Sequence, residues 1–166
     1  MRKQNSPHIV IIGGGVIGTS IAYHLSKQGA GVTLIEKKDL ASGSSGACDG
    51  LVFMQSKKPG IHLSLAMESL NRFEGLQKEL PTDIEFKKIG GMVIIETNAE
   101  YRAMEKFTKE QQAIGLDVQL LDRAQALEKD PFLSPGIIGS TFSPLDAQVN
   151  PITLTLGFAL RAGTNN

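Results

Sequence analysis

An unbroken aliphatic run at residues 9–12 leads directly into the glycine pattern Gly13-x-Gly15-x-x-Gly18, and a helical pattern follows at once. A strand, a glycine turn and a helix in this order bring the backbone against a pyrophosphate. Gly13 allows the tight turn, Gly15 leaves no Cβ in the path of the phosphates, and Gly18 lets the helix pack close to the strand. The helix N-terminus offers free N–H groups and the positive end of its dipole to the anion. The sequence therefore predicts a βαβ dinucleotide-binding unit.

The second strand of that unit, 32–35, ends in an acidic residue. Glu36 lies 18 residues beyond Gly18, close to the spacing of about 20 that is typical of the acid holding a ribose 2′-hydroxyl. A carboxylate there accepts hydrogen bonds from ribose hydroxyls and repels a 2′-phosphate. The pattern thus predicts an unphosphorylated adenine dinucleotide, with NAD and FAD both open at this point.

Composition excludes several other classes of partner and site. The 166 residues suffice for a domain with a core, and 17 basic residues balance 17 acidic ones, which gives no reason to expect nucleic acid or an anionic membrane. Cys48 is the single cysteine, so an intrachain disulfide is impossible. No apolar run approaches the ~20 residues that span a bilayer, and the histidines lack the spacing of a metal site. We expect a cytoplasmic protein with no metal.

The order of the remaining elements departs from a complete NAD domain. The patterns predict a strand at 8–12, a helix at 15–28, a strand at 31–36, a polar loop at 37–47, an extended piece at 50–55, a helix at 61–80, strands at 84–88 and 91–97 with hairpin character, a helix capped by Asn98 and reaching about 114, a strand at 118–121, a short helix capped by Asp122, a strand at 137–142 and a final helix beginning at Pro151. The fold class is α/β, with a parallel βαβ unit interrupted by part of a second, more antiparallel sheet. Two parallel strands make a poor sheet, and we expect a truncated chain whose remainder is a missing C-terminal half or another subunit.

Four sequence blocks carry a family resemblance. They are 13–18 continuing to Glu36, then 42–51, 88–93 and 147–151. In order and spacing they resemble the N-terminal portion of the FAD-dependent amine and amino-acid oxidoreductases, the group of glycine oxidase, the sarcosine oxidase β subunit and D-amino-acid dehydrogenase. The resemblance implies that 1–80 begins the FAD-binding domain, that 81–146 is part of a substrate domain, and that 147–166 returns to the FAD-binding domain.

The resemblance also implies a set of cofactor contacts along the chain. Besides the three fingerprint glycines, these are Val16 and Ile17 at the pyrophosphate, Glu36 and Lys37 at the adenosine, Ser44 and Ser45 at the phosphate and ribityl groups, and Asp49, Gly50 and Leu51 beside the flavin ring. Asp49 departs from the small or neutral residue expected there. Cys48, next to it, is expected to be a small buried residue.

The activity implied by the resemblance is oxidation of a C–H bond next to an amine. A small amine or amino acid of the glycine, sarcosine, proline or D-amino-acid type would pass hydride to the flavin, and the imine would hydrolyse. The family's main substrate-binding groups lie beyond residue 166, so no catalytic residue is named, and the 166 residues alone should bind FAD weakly or not at all. Three alternatives stay open: an NAD-dependent dehydrogenase, a non-catalytic nucleotide-binding subunit, and a hydroxy-acid or glycerol-phosphate oxidising relative.

Overall fold

The structure is a computed structural model that describes residues 7–164. In chain order its elements are β1 (His8–Ile12), α1 (Val16–Lys27), β2 (Gly31–Ile35), α2 (Ser44–Ala47), β3 (Leu51–Val52), α3 (Ile61–Glu79), β4 (Lys87–Lys88), β5 (Gly91–Ile95), α4 (Asn98–Ala113), β6 (Gln119–Asp122), α5 (Arg123–Lys129), β7 (Gly139–Ser143), β8 (Ala147–Gln148) and α6 (Pro151–Thr164). The loop predicted at 37–47 thus ends in a short helix, α2.

The chain divides into two compact units. The first takes its described residues from 7–51, 73–86 and 149–164, and the second comprises 52–72 and 87–148. It stays a prediction that 1–80 and 147–166 serve cofactor binding and that 81–146 serves substrate binding. The compact units themselves place 52–72 in the second unit and 81–86 in the first.

In the first unit, β1 and β2 form the predicted parallel pair, in register from His8 opposite Gly31 to Ile12 opposite Ile35. Helix α1 packs on α6 through the buried rings of Tyr23 and Phe158, whose centroids lie 5.5 Å apart. These contacts hold α1 against α6.

The other side of the β1–β2 pair leaves aliphatic side chains exposed. Ile12 has 86% of its surface accessible, and Val10 and Ile35 are about half exposed. Strands of parallel sheets are usually covered on both faces. This face is therefore suited to a further layer of protein.

The other strands form two three-stranded sheets with the orders β3-β8-β4 and β5-β7-β6. The predicted hairpin between the strands at 84–88 and 91–97 is wrong. β4 pairs antiparallel with β8, and β5 pairs antiparallel with β7. β4 and β5 thus pair one after the other with the same segment, 139–148. Gly90, at φ +74°, turns the chain between them and donates its N–H to the Asp146 carbonyl.

Helix starts follow the capping rules with one correction. Thr97, and not Asn98, caps α4, because its side chain accepts from the Glu100 N–H and the Glu100 carboxylate accepts in return from the Thr97 N–H. Asp122 caps α5 as predicted, and Pro151 is the first residue of α6.

Candidate functional site: the glycine turn and its covering loop

The glycine turn lies at the carboxyl ends of both parallel strands. Gly13 follows β1 with φ +112°, a conformation that residues with a Cβ rarely adopt, and donates its N–H to the Ile35 carbonyl at 2.8 Å. A Cβ on Gly18 would lie 2.0 Å from the Gly13 carbonyl oxygen. Helix α1 therefore starts against the turn at a distance that only glycine permits, with its N–H groups directed at the carboxyl edge of the strands.

Glu36 closes the turn from the end of β2. Its Oε2 accepts from the Gly14 N–H at 2.7 Å and its Oε1 accepts from the Lys38 N–H at 2.9 Å. The first of these bonds, reinforced by the second, holds the pKa of the Glu36 carboxyl below its ordinary value. The carboxylate thus lies in the crevice that the sequence predicted, and it is ionised and anchored there by backbone amides.

The segment after Glu36 folds back over the same turn. Ala41 donates its N–H to the Gly14 carbonyl at 3.1 Å and has φ +61°. A Cβ on Gly14 would lie 2.5 Å from Leu40, and a Cβ on Gly46 would lie 2.3 Å from the Ala41 carbonyl oxygen. Both backbone groups of Gly14 are therefore engaged, and residues 37–47 are held against the turn.

Ser45 supplies the side chain that reaches the start of α1. Gly15, the N-cap residue, has no side chain to offer, and the Ser45 hydroxyl accepts from the Val16 N–H at 3.0 Å. A Cβ on Gly15 would lie 2.9 Å from that hydroxyl oxygen. Since a hydroxyl also carries one donor hydrogen, Ser45 retains a proton that it can direct at an anion.

The predicted flavin-side residues form a second group. Gly50, at φ +73°, accepts from the Val149 N–H at 2.9 Å, and a Cβ there would lie 2.2 Å from the Val149 carbonyl oxygen. The exposed Asp49 carboxylate accepts from the Leu51 N–H at 3.0 Å, so it is used locally as an acceptor. Cys48 is exposed, so the expectation that it is buried is wrong, and its thiol donates to the Ser45 carbonyl at 3.3 Å.

The structure therefore brings most of the predicted residues into two places. Gly13, Gly15, Gly18, Val16, Glu36 and Ser45 share the glycine turn, while Asp49, Gly50 and Leu51 lie where β3 begins. Ile17, Lys37 and Ser44 are exposed beside the first group. Sequence reasoning missed Leu40, Ala41 and Val149, since no local pattern marks an alanine with positive φ or a valine that pairs with a distant glycine.

The geometry of the turn fits the diphosphate and adenosine of a dinucleotide. The side of Gly13 on which a Cβ would project has no atom within 4 Å, α1 presents an N-terminus without a side-chain cap of its own, and an ionised acid stands at the next strand. Across residues 7–164, no cluster of His, Cys, Asp or Glu could hold a metal ion, and none of the helices there has the length and apolar character to cross a membrane. The fold and site define a dinucleotide-binding α/β protein.

Comparison with known proteins gives the family. The family described as FAD dependent oxidoreductase matches residues 8–166, and the chain belongs to it. A glycine oxidase of Geobacillus kaustophilus is 30% identical over 163 residues, covering 94% of this chain and 43% of that protein. A crystal structure of glycine oxidase from Geobacillus kaustophilus has 28% identity and a TM-score of 0.88, and the match covers 96% of this chain and 45% of that one.

A relative with a different printed role also matches. The mitochondrial pyruvate dehydrogenase phosphatase regulatory subunit of Mus musculus is 26% identical over 159 residues, which cover 95% of this chain and 18% of that protein. The chain spans less than half the length of each of these relatives. FAD is the cofactor of the family, so the NAD alternative is set aside, and the predicted likeness to the N-terminal portion of such enzymes is confirmed.

Proposed function

We propose that this chain forms the adenosine- and diphosphate-binding part of an FAD-dependent oxidoreductase that oxidises the C–N bond of a small amine or amino acid. The observation that carries the proposal is the Glu36 carboxylate, which accepts from the Gly14 N–H at 2.7 Å beside the N-terminus of α1. The likeness to glycine oxidase supports an amine or amino-acid substrate. The cytoplasmic location predicted from the sequence is part of the same proposal.

The residues of the turn divide the work of holding the cofactor. Glu36 accepts from the ribose hydroxyls with lone pairs that its two amide bonds leave free. The Ser45 hydroxyl accepts a hydrogen bond from the Val16 N–H and would donate one to a phosphate oxygen. The positive end of α1 would thus act on the diphosphate through this hydroxyl. Ile17 and Ser44 would add their backbone N–H groups beside it, and the exposed Lys37 would serve the adenosine.

Gly50 and Leu51 provide a wall for the flavin ring. When bound, FAD accepts a hydride from the substrate carbon, and the chain's part is to orient the ring and keep water from it. Leu51 is 53% exposed and offers an apolar surface for that contact. The positive φ of Gly50 fixes the direction in which this backbone approaches.

The test is the cofactor content and turnover of the protein expressed from its own gene. We expect a yellow protein with flavin absorbance bands, and turnover of glycine, sarcosine, proline or a D-amino acid with a dye acceptor. A colourless protein that takes up no FAD on titration would contradict the proposal. The matched variants Ser45→Ala and Ser45→Thr separate the roles, since only the first removes the hydroxyl.

A second candidate is a non-catalytic subunit that binds the nucleotide for assembly, which the likeness to a regulatory subunit favours. It predicts stoichiometric FAD without turnover of any amine. A flavin that dithionite reduces, and that no amine, hydroxy acid or glycerol phosphate reduces, would select this candidate.

A further inference from the structure

Helix α6 of the first unit is capped by a side chain outside the cofactor site. Asn150 Oδ1 accepts from the Ile152 N–H at 3.1 Å and from the Thr153 N–H at 3.2 Å. Its Nδ2 donates to Glu85 Oε1 at 2.8 Å. A half-turn of the amide would place its NH2 group against two N–H groups and its oxygen against a carboxylate. The Glu85 carboxylate and the cap together therefore select one orientation of the Asn150 amide.

The backbone that presents Glu85 is held in an unfavourable conformation. Glu85 has φ +54°, a left-handed value that residues with a Cβ adopt at a conformational cost. Its N–H donates to Asp83 Oδ1 at 2.8 Å, and Gln77 Nε2 donates to the same oxygen at 2.7 Å. The neighbouring Ile84 is fully buried, and its carbonyl accepts from the Asn150 N–H at 2.8 Å. Conformations of this kind persist where their surroundings fix them, and they are frequent at functional sites.

The two chain neighbours of Asn150 both pack on Gly50. The Val149 N–H donates to the Gly50 carbonyl at 2.9 Å. A Cβ on Gly50, which has φ +73°, would lie 2.2 Å from the Val149 carbonyl oxygen and 3.3 Å from Pro151 Cδ. Gly50 has no side chain that could take up a displacement, so a shift of residues 149–151 would be passed directly to its backbone.

We propose that Glu85 and Asn150 are positioning residues for the flavin: the Glu85 carboxylate orients the Asn150 amide, the amide caps α6, and the capped residues 149–151 hold the Gly50 backbone where it meets the ring. All of these residues belong to the first unit. The functional half of the inference rests on the proposed function, because the contact of Gly50 with flavin is part of that proposal. The structural half is measured without flavin.

The test reverses the direction of the hydrogen bond between positions 85 and 150. Asn150→Asp keeps an oxygen for the α6 cap but removes the donor and sets a carboxylate against the Glu85 carboxylate. Adding Glu85→Gln supplies an NH2 group that donates to the new carboxylate, so the double variant regains the bond. Glu85→Gln alone keeps an acceptor for the Asn150 amide. The control is Asn98→Asp, the same substitution in the first turn of α4, whose cap is Thr97.

Amide hydrogen exchange at Val149 is the main measurement, because this N–H makes the bond to Gly50. We expect Asn150→Asp to speed the exchange about fivefold, since the loss of one hydrogen bond near the surface has an effect of this order. Glu85→Gln alone, the double variant and the control should stay within about twofold of the wild type, because each keeps the hydrogen bonds of the site. Unchanged exchange in Asn150→Asp, or a double variant as fast as Asn150→Asp alone, would overturn the proposal.

A second pair of variants separates positioning from stability. Glu85→Ala removes the carboxylate and keeps the cost of the positive φ, whereas Glu85→Gly removes both. We therefore expect Glu85→Gly to have the higher Tm of the two, while both speed exchange at Val149 to a similar degree. Exchange at Val149 that follows Tm, with Glu85→Gly no faster than the wild type, would refute a role for the carboxylate.

The flavin measurement uses the FAD-loaded protein. Asn150→Asp should shift the flavin absorbance maxima, and the double variant should return them to the wild-type positions. Unchanged maxima alongside faster exchange at Val149 would refute the functional half and leave the proposed function standing. A wild type that binds no FAD would instead count against the proposed function, while the exchange measurements would still decide the structural half.

Discussion

The two helical glycines Gly18 and Gly75 offer a matched test of the glycine turn. Gly18 lies in the first turn of α1 and Gly75 in the part of α3 that belongs to the first unit, and Gly→Ala raises helix propensity at such positions by up to about 1 kcal/mol. At Gly75 the new methyl would meet only Glu79 Oε1 at 3.6 Å, an ordinary contact. At Gly18 it would lie 2.0 Å from the Gly13 carbonyl oxygen, a backbone atom that cannot rotate away.

Overpacking of this kind costs about 1–3 kcal/mol, and a backbone contact favours the upper end. We therefore expect Gly75→Ala to raise the free energy of unfolding by about 1 kcal/mol and Gly18→Ala to lower it by up to about 2. For a chain of this size the difference of about 3 kcal/mol corresponds to roughly 6–12 °C in Tm. Thermal and urea unfolding measure it, with FAD titration as a second readout that only Gly18→Ala should weaken. Equal shifts for both variants would refute the close approach of α1 to the turn.

Four further results are expected. Ser45→Ala should weaken FAD binding about tenfold, because it removes the half-buried hydroxyl and leaves the Val16 N–H without its side-chain acceptor, while Ser45→Thr keeps most of the affinity; equilibrium dialysis compares them. Gly50→Ala should lower the urea midpoint by the equivalent of about 2–4 kcal/mol, since it adds positive-φ strain to a clash with the Val149 carbonyl. The lowered pKa of Glu36 stabilises the fold above its ordinary value of 4.5, and this stability is lost as pH falls through the folded pKa; Glu36→Gln should flatten that part of a pH series of urea midpoints. Burial raises the pKa of Asp146 above 3.8, so the contribution of this carboxyl to the stability of the fold falls as pH rises from 3.8 through the folded pKa. Asp146→Asn should abolish this dependence, whose sign is opposite to that of Glu36.

Local sequence was sufficient for the elements whose determinants lie close together in the chain. The strand, turn and helix at 8–27 follow from Gly13, Gly15 and Gly18 within a few residues, and the caps at Asp122 and Pro151 need only their neighbours. Thr97 was missed because two adjacent residues, Thr97 and Asn98, are both good caps, and the side chain of Glu100 decides between them.

The strand pairing in the second unit could not be predicted from local sequence. The residues at 84–97 contain two apolar runs around a glycine pair, which is the pattern of a hairpin. The strands in fact pair with 139–148, about fifty residues later, and the choice depends on the turn at 143–147 that carries Asp146. Gln55 shows the same difficulty, because nothing near it in sequence predicts that its buried amide donates to Asp146 in that turn.

In the candidate site, too, local sequence predicts some features and only the structure shows the others, and the difference bears on how the site would bind a cofactor. The sequence predicts Glu36 and Ser45 as cofactor contacts, and the structure adds that both already bond to the turn, together with the Ala41 N–H. A loop that is held before the ligand arrives loses little conformational entropy when the ligand binds. The turn and its covering loop are therefore preformed, and the face of β1–β2 that exposes Ile12 is apolar surface on which a covering layer would contribute to the stability of the turn from the other side.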